Sequence, residues 1–184
     1  MKSLLACTAL LIAAAALSAQ TPAPKAPPKS PAATETATIA GKAITITYSS
    51  PGVKGRAGHL FGKDGQIGHD PTYPVWRAGA NAATKLHTDG NLTIGSLAVP
   101  AGDYTLYVDV SDPDNWVLVV NTQTGQWGTV YDKTKDLGRV PMKMTKPAET
   151  IEILKYTLAR TGGSRGTLTL AWENHIASVP FTVK

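Results

Sequence analysis

Residues 102–120 read GDYTLYVDVSDPDNWVLVV, and this stretch decides the fold class. In its first half apolar and polar residues alternate, which places Tyr104, Leu106, Val108 and Val110 on one face of a strand. Asp and Pro residues then form a turn signal. The apolar run Trp116–Val120 follows and predicts a second strand that is covered on both faces.

The period of two continues toward the N-terminus. Ile44, Ile46 and Tyr48 alternate with threonines, and Gly41-Lys42 predicts a tight turn back to Thr38–Ala40. These residues therefore predict two paired strands.

A second turn signal lies between Thr84–Thr88 and Asn91–Ile94. The dipeptide Asp89-Gly90 that joins them accepts the positive φ angles of a type I′ turn. We therefore predict that these two segments form a β-hairpin.

The C-terminal part shows the same alternation with one irregularity. Within Glu149–Ala159 the apolar residues change parity between Ile153 and Leu154, which predicts a β-bulge. Thr167–Trp172 and a last segment around Phe181 then predict two closing strands, joined at Glu173-Asn174.

Nine or ten strands at this spacing, with no helical periodicity between them, predict an all-β domain. The arrangement expected is an antiparallel β-sandwich, for which a jelly-roll order is one form, and an up-and-down barrel is the alternative. The least strand-like stretch is Ser49–Tyr73, which contains six glycines and predicts a long ordered loop.

The N-terminal residues predict export. Residues 1–19 carry one lysine, an apolar run shorter than the roughly 20 residues of a membrane span, and a small-residue cleavage site at Ala19. We interpret them as a signal peptide containing the only cysteine, Cys7, and we expect the protein to be periplasmic or extracellular with no membrane span after cleavage. Residues 20–36 are rich in proline and alanine and predict an extended linker, followed by one domain over 37–184.

The charge pattern argues against one class of partner. The net charge is +5, and part of it lies in Lys2, Lys25 and Lys29, outside the predicted domain. Such a modest and dispersed excess does not predict nucleic-acid binding.

The densest polar and aromatic cluster is Trp76-Arg77-Ala78-Gly79-Ala80-Asn81-Ala82-Ala83-Thr84, and Lys54-Gly55-Arg56 and Phe61-Gly62 precede it. With Pro100-Ala101-Gly102 and Trp127-Gly128-Thr129, these motifs resemble the bacterial domain-of-unknown-function family 2911, whose members are typically exported. The resemblance covers almost the whole predicted domain. It implies a self-contained unit and no particular activity, and residues 63–72 form an insertion relative to the shorter family pattern.

Two interpretations of the cluster remain open. Arg77 offers five donors in a planar fork and Asn81 offers an amide, so the pair could hold a carboxylate, a phosphate or sugar hydroxyls. Alternatively, Trp76 fills the core while Arg77 and Asn81 hold the loop as a structural clamp. The predicted ligand-binding residues are Lys54, Arg56, Trp76, Arg77, Asn81, Thr84, Trp127 and Tyr131.

No metal site is favoured, but one alternative set exists. His59, His69, Asp70 and His87 are residue types that bind zinc, although their spacing matches no short ligand motif. We predict no cofactor and no catalytic residues.

Three functions follow from these observations. The first is a non-catalytic module that binds a ligand or partner of the cell envelope, a glycan or a protein, in a groove between the Ser49–Thr84 loop and the Trp127–Asp132 segment. The second is a metal-dependent hydrolase that uses the loop histidines. The third is a structural or assembly module of the envelope.

Overall fold

The computed structural model of the protein describes residues 30–184 and confirms an all-β architecture of two antiparallel sheets. Its strands are β1 Ala32–Ile39, β2 Lys42–Ser49, β3 Val75–Trp76, β4 Thr84–Thr88, β5 Leu92–Ile94, β6 Leu97–Val99, β7 Gly102–Asp109, β8 Val117–Asn121, β9 Asp136–Pro141, β10 Lys143–Thr145, β11 Ile151–Gly162, β12 Arg165–Glu173 and β13 His175–Val183.

The first sheet has the order β1-β2-β4-β7-β8-β9, and β3 pairs with β7. The second sheet has the order β11-β12-β13-β5-β6, and β10 pairs with β13. The fold is therefore a sandwich, and the alternative of a single closed sheet is wrong. The structure has more strands than the nine or ten predicted because β3, β6 and β10 contain only two or three residues each, too few for an alternation to be recognised.

The core lies between the sheets and consists of the apolar positions that the alternation identifies. Leu106 and Val108 of β7 are fully buried there, as are Leu168 and Leu170 of β12. A smaller cluster of Val75, Ala83, Tyr107 and Val119 covers the opposite face of the first sheet. The central strands β7 and β8 are therefore apolar on both faces.

The β-bulge in the C-terminal part is confirmed. The pairing between β11 and β12 shifts between Ile151 and Lys155, and Leu154 is buried while Ile153 is exposed. The turn between β1 and β2 is also confirmed. It has positive φ angles at Ala40 and Gly41.

The hairpin predicted at Asp89-Gly90 is wrong. β4 and β5 lie in different sheets, so Asp89-Gly90 carries the chain from one sheet to the other. β4 is paired on both sides, by β2 and β7, and it has no free edge for β5. Gly90 does not have the positive φ that a type I′ turn requires.

The structure places Ala32–Thr36 in β1, so the domain begins inside the segment that was predicted to be linker. Ala33 and Ala37 pack against the core, and Glu35 Oε1 accepts a hydrogen bond from Leu158 N at 3.1 Å. Small and polar residues form this strand, which is why the composition resembled a linker. The signal peptide and the rest of the linker lie outside the described residues.

Residues 50–74 form the predicted long loop between β2 and β3, interrupted by a 3₁₀ turn at Ile67–His69. Residues 30–184 contain no helix with the length and apolarity that a membrane span requires.

Candidate functional site

The long loop is anchored at its start by the bulged strand. Val53 N donates to Glu152 O at 2.8 Å, and Leu154 N donates to Pro51 O at 2.9 Å. Ser50 Oγ donates to Leu154 O at 2.5 Å. The bulge in β11 therefore provides the backbone groups that hold the loop against the second sheet.

Further along, the loop is anchored by apolar side chains. Leu60 and Ile67 are buried, and Ile67 N donates to Leu60 O at 2.9 Å. The ring of Phe61 packs against Trp76 and Trp172, with ring centroids 5.5 and 5.8 Å apart. Since both ends of the loop are fixed to the core, its polar side chains have defined positions.

Arg77 joins two parts of this loop. Its Nη2 donates to both carboxylate oxygens of Asp70, at 2.8 and 2.7 Å, and its Nη1 donates to Asn81 O at 3.3 Å. Only 12% of the Arg77 side chain and 23% of the Asp70 side chain are exposed. The charge of Arg77 is thus neutralised by an acidic residue from the predicted insertion.

Arg56 has a different environment. It donates from Nε to Val53 O at 2.8 Å, from Nη2 to Gly52 O at 2.6 Å, and from Nη1 to the side-chain oxygen of Gln66. All of these acceptors are neutral, and in residues 30–184 no carboxylate lies within ion-pairing distance of Arg56. Its positive charge is therefore not compensated locally.

Between these groups lies the loop pocket, a cavity of about 180 Å³. Arg56, Asp70, Arg77 and Asn81 contribute polar surface to it, and its apolar surface comes mainly from Leu60, Ile67, Trp76 and Trp172. Trp76 and Trp172 stack with centroids 5.8 Å apart and an interplanar angle of 17°. The indole Nε1 of Trp172 is buried and has no hydrogen-bond partner among the described residues.

A family model described as "Protein of unknown function (DUF2911)" matches residues 30–181. The chain belongs to this family. No curated protein and no solved structure gave a significant match.

The structure brings half of the predicted ligand-binding residues of this DUF2911 domain together. Arg56, Trp76, Arg77 and Asn81 all line the loop pocket. Thr84 is fully buried instead, and its hydroxyl donates to Ala78 O at 3.1 Å. Thr84 therefore has a structural role in the loop.

Lys54, Trp127 and Tyr131 do not line the loop pocket. Lys54 is exposed, and its backbone N donates to Glu152 Oε1 at 2.8 Å. Trp127 is 55% exposed. Tyr131 donates to Asp136 Oδ2 at 2.7 Å, and burial, followed by this hydrogen bond, raises its pKa to about 12.

The predicted groove between the loop and the Trp127–Asp132 segment is closed by direct contact. Gly128 N donates to Asn81 O at 3.0 Å, and Ala83 N donates to Gln126 O at 3.3 Å. The side chain of Arg77 lies against Gly128, where a Cβ atom would be 2.2 Å from Arg77 Cδ. The segment thus packs directly against Arg77 and leaves no groove between itself and the loop.

The alternative metal residues are not brought together. Asp70 binds Arg77, and His69 Nδ1 lies 2.8 Å from Gly65 O. His87 lies on β4, 2.8 Å from Asp103 Oδ1, and this hydrogen bond raises its pKa. Within residues 30–184 no group of three or more His, Cys, Asp or Glu is placed to hold a metal ion.

Two residues of the DUF2911 domain that the sequence reasoning missed are Glu173 and His175, at the turn between β12 and β13. Glu173 is only 2% exposed and has a φ of 54°, and its Oε1 accepts a hydrogen bond from Gly58 N at 2.6 Å. His175 stacks on Trp116 with centroids 4.9 Å apart. The sequence does carry one sign of this site: Glu173 is an acidic residue in a two-residue turn, where glycine or asparagine is usual.

Proposed function

We propose that this domain is an exported, non-catalytic binding module, and that its loop pocket takes a small ligand with a carboxylate or phosphate group. Export is the expectation from residues 1–19. The observation that carries the binding proposal is Arg56, a cation that lines the pocket and is surrounded by neutral acceptors.

Charge favours an anionic ligand. Arg77 and Asp70 neutralise each other, so Arg56 leaves the pocket with one excess positive charge. An anion in contact with a guanidinium forms charge-assisted hydrogen bonds, which are stronger than those between neutral groups.

Trp172 adds a second argument. Its buried Nε1–H has no acceptor among the described residues, and an unsatisfied buried donor is costly. The ring of Trp172 lines the same pocket as Arg56. An oxygen of a ligand that contacts Arg56 would satisfy this donor only after a shift of the Trp172 ring, because Nε1 is shielded from solvent.

The size and walls of the pocket limit the ligand. A volume of about 180 Å³ lies below the range of about 300–1,000 Å³ typical of sites for larger ligands. Its walls of Leu60, Trp76 and Trp172 are apolar. These features favour a small acid with an apolar part over a long glycan.

The test is isothermal titration calorimetry of the purified protein with acetate, butyrate, phosphate and a neutral sugar. We expect binding of an acid, and we expect the affinity to fall by at least about tenfold in Arg56→Gln and less in Arg56→Lys, which keeps the charge. Arg165→Gln is the matched control, since Arg165 is exposed on β12 and does not line the loop pocket.

Trp172→Phe is a second variant that keeps an aromatic ring and removes the indole donor, although the smaller ring also leaves a void at this buried position. A loss of affinity in a Trp172→Phe protein that remains folded would support contact between the ligand and this donor. If no acid binds to the folded wild-type protein, the binding proposal is wrong and the structural module is favoured.

A further inference from the structure

A second pocket lies at the turn between β12 and β13. Its volume is about 480 Å³. It is lined by Gly58, Phe61, Gly62, Pro113, Lys146, Pro147, Glu173, Asn174 and His175. We call it the hairpin pocket.

A carboxylate oxygen and a ring nitrogen lie side by side in the hairpin pocket. Oε2 of Glu173 is 3.3 Å from Nδ1 of His175, and Nδ1 is buried without a hydrogen-bond partner among the described residues. The other oxygen, Oε1, accepts from Gly58 N. Oε2 therefore faces a ring nitrogen with which it forms no hydrogen bond.

The arrangement is unsatisfied when the neutral ring of His175 carries its proton on Nε2. Burial lowers the pKa of His175, which favours the neutral ring at neutral pH. With the proton on Nε2, Nδ1 carries a lone pair and is an acceptor, like the carboxylate oxygen beside it. Because Nδ1 is shielded from solvent, a donor in the pocket would stabilise the carboxylate oxygen Oε2.

The backbone conformation also indicates a functional role. Glu173 adopts a φ of 54°, which disfavours a residue with a Cβ atom. Its carboxylate is nevertheless held in the interior, where an ionised group is costly unless it is paired. Strained and buried polar residues of this kind concentrate at binding sites.

The walls of the pocket suit a cation with an apolar part. The ring centroids of Phe61 and His175 are 4.7 Å apart, and Pro113 and Pro147 add apolar surface. Aromatic faces attract cations, and the effect grows when the cation is removed from water.

We propose that the hairpin pocket binds a protonated primary amine, whose ammonium group donates to Glu173 Oε2 while its apolar part packs against Phe61. This proposal is independent of acid binding in the loop pocket.

One positively charged side chain, that of Lys146, lies at the rim of the hairpin pocket. Lys146 is exposed there and forms no ion pair with Glu173, and Asp114 lies beside it at an adjoining cavity. Because Asp114 offsets the charge of Lys146, the rim does not exclude a cation. Lys146→Met should raise the affinity for an amine modestly, since it removes a positive charge.

The experiment is an NMR titration of the whole ¹⁵N-labelled protein with n-butylammonium chloride, and with 1-butanol as the uncharged probe. We expect saturable shifts at Gly58, Phe61 and His175 with the amine and much weaker shifts with the alcohol. Saturable shifts confined to other regions, or none at millimolar amine, would overturn the proposal even without any variant.

Variants then identify the acceptor. Glu173→Gln keeps an oxygen for Gly58 N and removes the charge, and the amine affinity should fall by at least about tenfold, as expected for losing a charged hydrogen bond. Asp103→Asn is the control, because it removes an exposed carboxylate on β7 outside the pocket. Equal amine affinity in Glu173→Gln and in the wild type would contradict the proposed contact.

Discussion

The Nη2 atom of Arg77 lies 2.8 and 2.7 Å from the two carboxylate oxygens of Asp70. This contact joins the tryptophan-arginine motif to the predicted insertion at residues 63–72. Because the charge of Arg77 is paired with Asp70, Arg77 holds the loop in place. Arg56 supplies the excess positive charge of the loop pocket.

The ion pair between Arg77 and Asp70 should stabilise the domain. Asp70→Asn leaves Arg77 largely buried without its counter-ion, so we expect the free energy of unfolding to fall by about 2 kcal/mol. Urea denaturation measures this change. Asp64→Asn is the control, because Asp64 is an exposed acid of the same loop that takes part in no ion pair within the described residues.

The same variant tests the electrostatics of the loop pocket. Freeing Arg77 raises the positive charge that faces the pocket, so Asp70→Asn should bind an acid more tightly than the wild type if it stays folded. Weaker acid binding in a folded Asp70→Asn protein would show that Asp70 positions the ligand.

A second prediction concerns the strain at Glu173. Glu173→Gly and Glu173→Ala both lose the hydrogen bond to Gly58 N, but only glycine adopts a φ of 54° without a steric cost. We expect the glycine variant to be more stable than the alanine variant by about 1 kcal/mol, measured by chemical denaturation. Equal stabilities would mean that the turn changes conformation when the carboxylate is lost.

Most strands of the sandwich can be predicted from the sequence, because the alternation of apolar and polar residues indicates which side chains face the core. It located β7, β8 and the bulge of β11, where Leu154 and Ile153 differ in burial. Alternation does not report which strand pairs with which. The dipeptide Asp89-Gly90 therefore suggested a local hairpin, whereas the partners of β5 are β13 and β6.

The candidate sites can be predicted only in part, because a local sequence pattern does not show which distant residues come into contact. Arg77 and Asn81 stand in a dense local motif, so their proximity to each other followed from the sequence. Glu173 contacts Gly58, 115 positions earlier in the chain, and this contact exists only because the loop folds back over the second sheet. A single sequence carries no signal for such a distant pair.

The pH dependence of stability should reveal His175. Its pKa is lowered from 6.5 by burial, against the opposing effect of Glu173, so the unfolded chain takes up a proton at a pH where the folded domain does not. The free energy of unfolding should therefore be highest above pH 6.5 and should fall as the pH decreases from there toward the folded pKa. Lys146 and Asp114 also face this ring, with opposite effects on its pKa.

His175→Phe keeps an aromatic ring on Trp116 and removes the titration, so its stability should depend less on pH below 6.5. His87 provides the comparison, because the hydrogen bonds that its ring donates to Asp103 and Asp89 raise its pKa. Its contribution is present at low pH and is lost as the pH rises through the folded pKa, so His87→Gln should steepen the acid decline. A change of the same sign in both variants would contradict these assignments.

The close contact between Gly128 and Arg77 gives the last prediction. A Cβ atom at position 128 would lie 2.2 Å from Arg77 Cδ and 2.6 Å from the backbone oxygen of Asn81, so Gly128→Ala must displace both. We expect it to lower the free energy of unfolding by about 1–3 kcal/mol, as overpacking does, and to weaken acid binding because Arg77 and Asn81 line the loop pocket.

Gly125→Ala separates this steric effect from backbone strain. Gly125 lies in the same connection between β8 and β9 with a φ of 82°, but nothing lies within 4 Å of a Cβ atom placed there. Its alanine variant should lose stability through strain alone and keep the affinity for the acid. If Gly128→Ala kept its affinity as well, the segment 126–128 would have no part in shaping the loop pocket, and Arg56 would bind the ligand without help from Arg77.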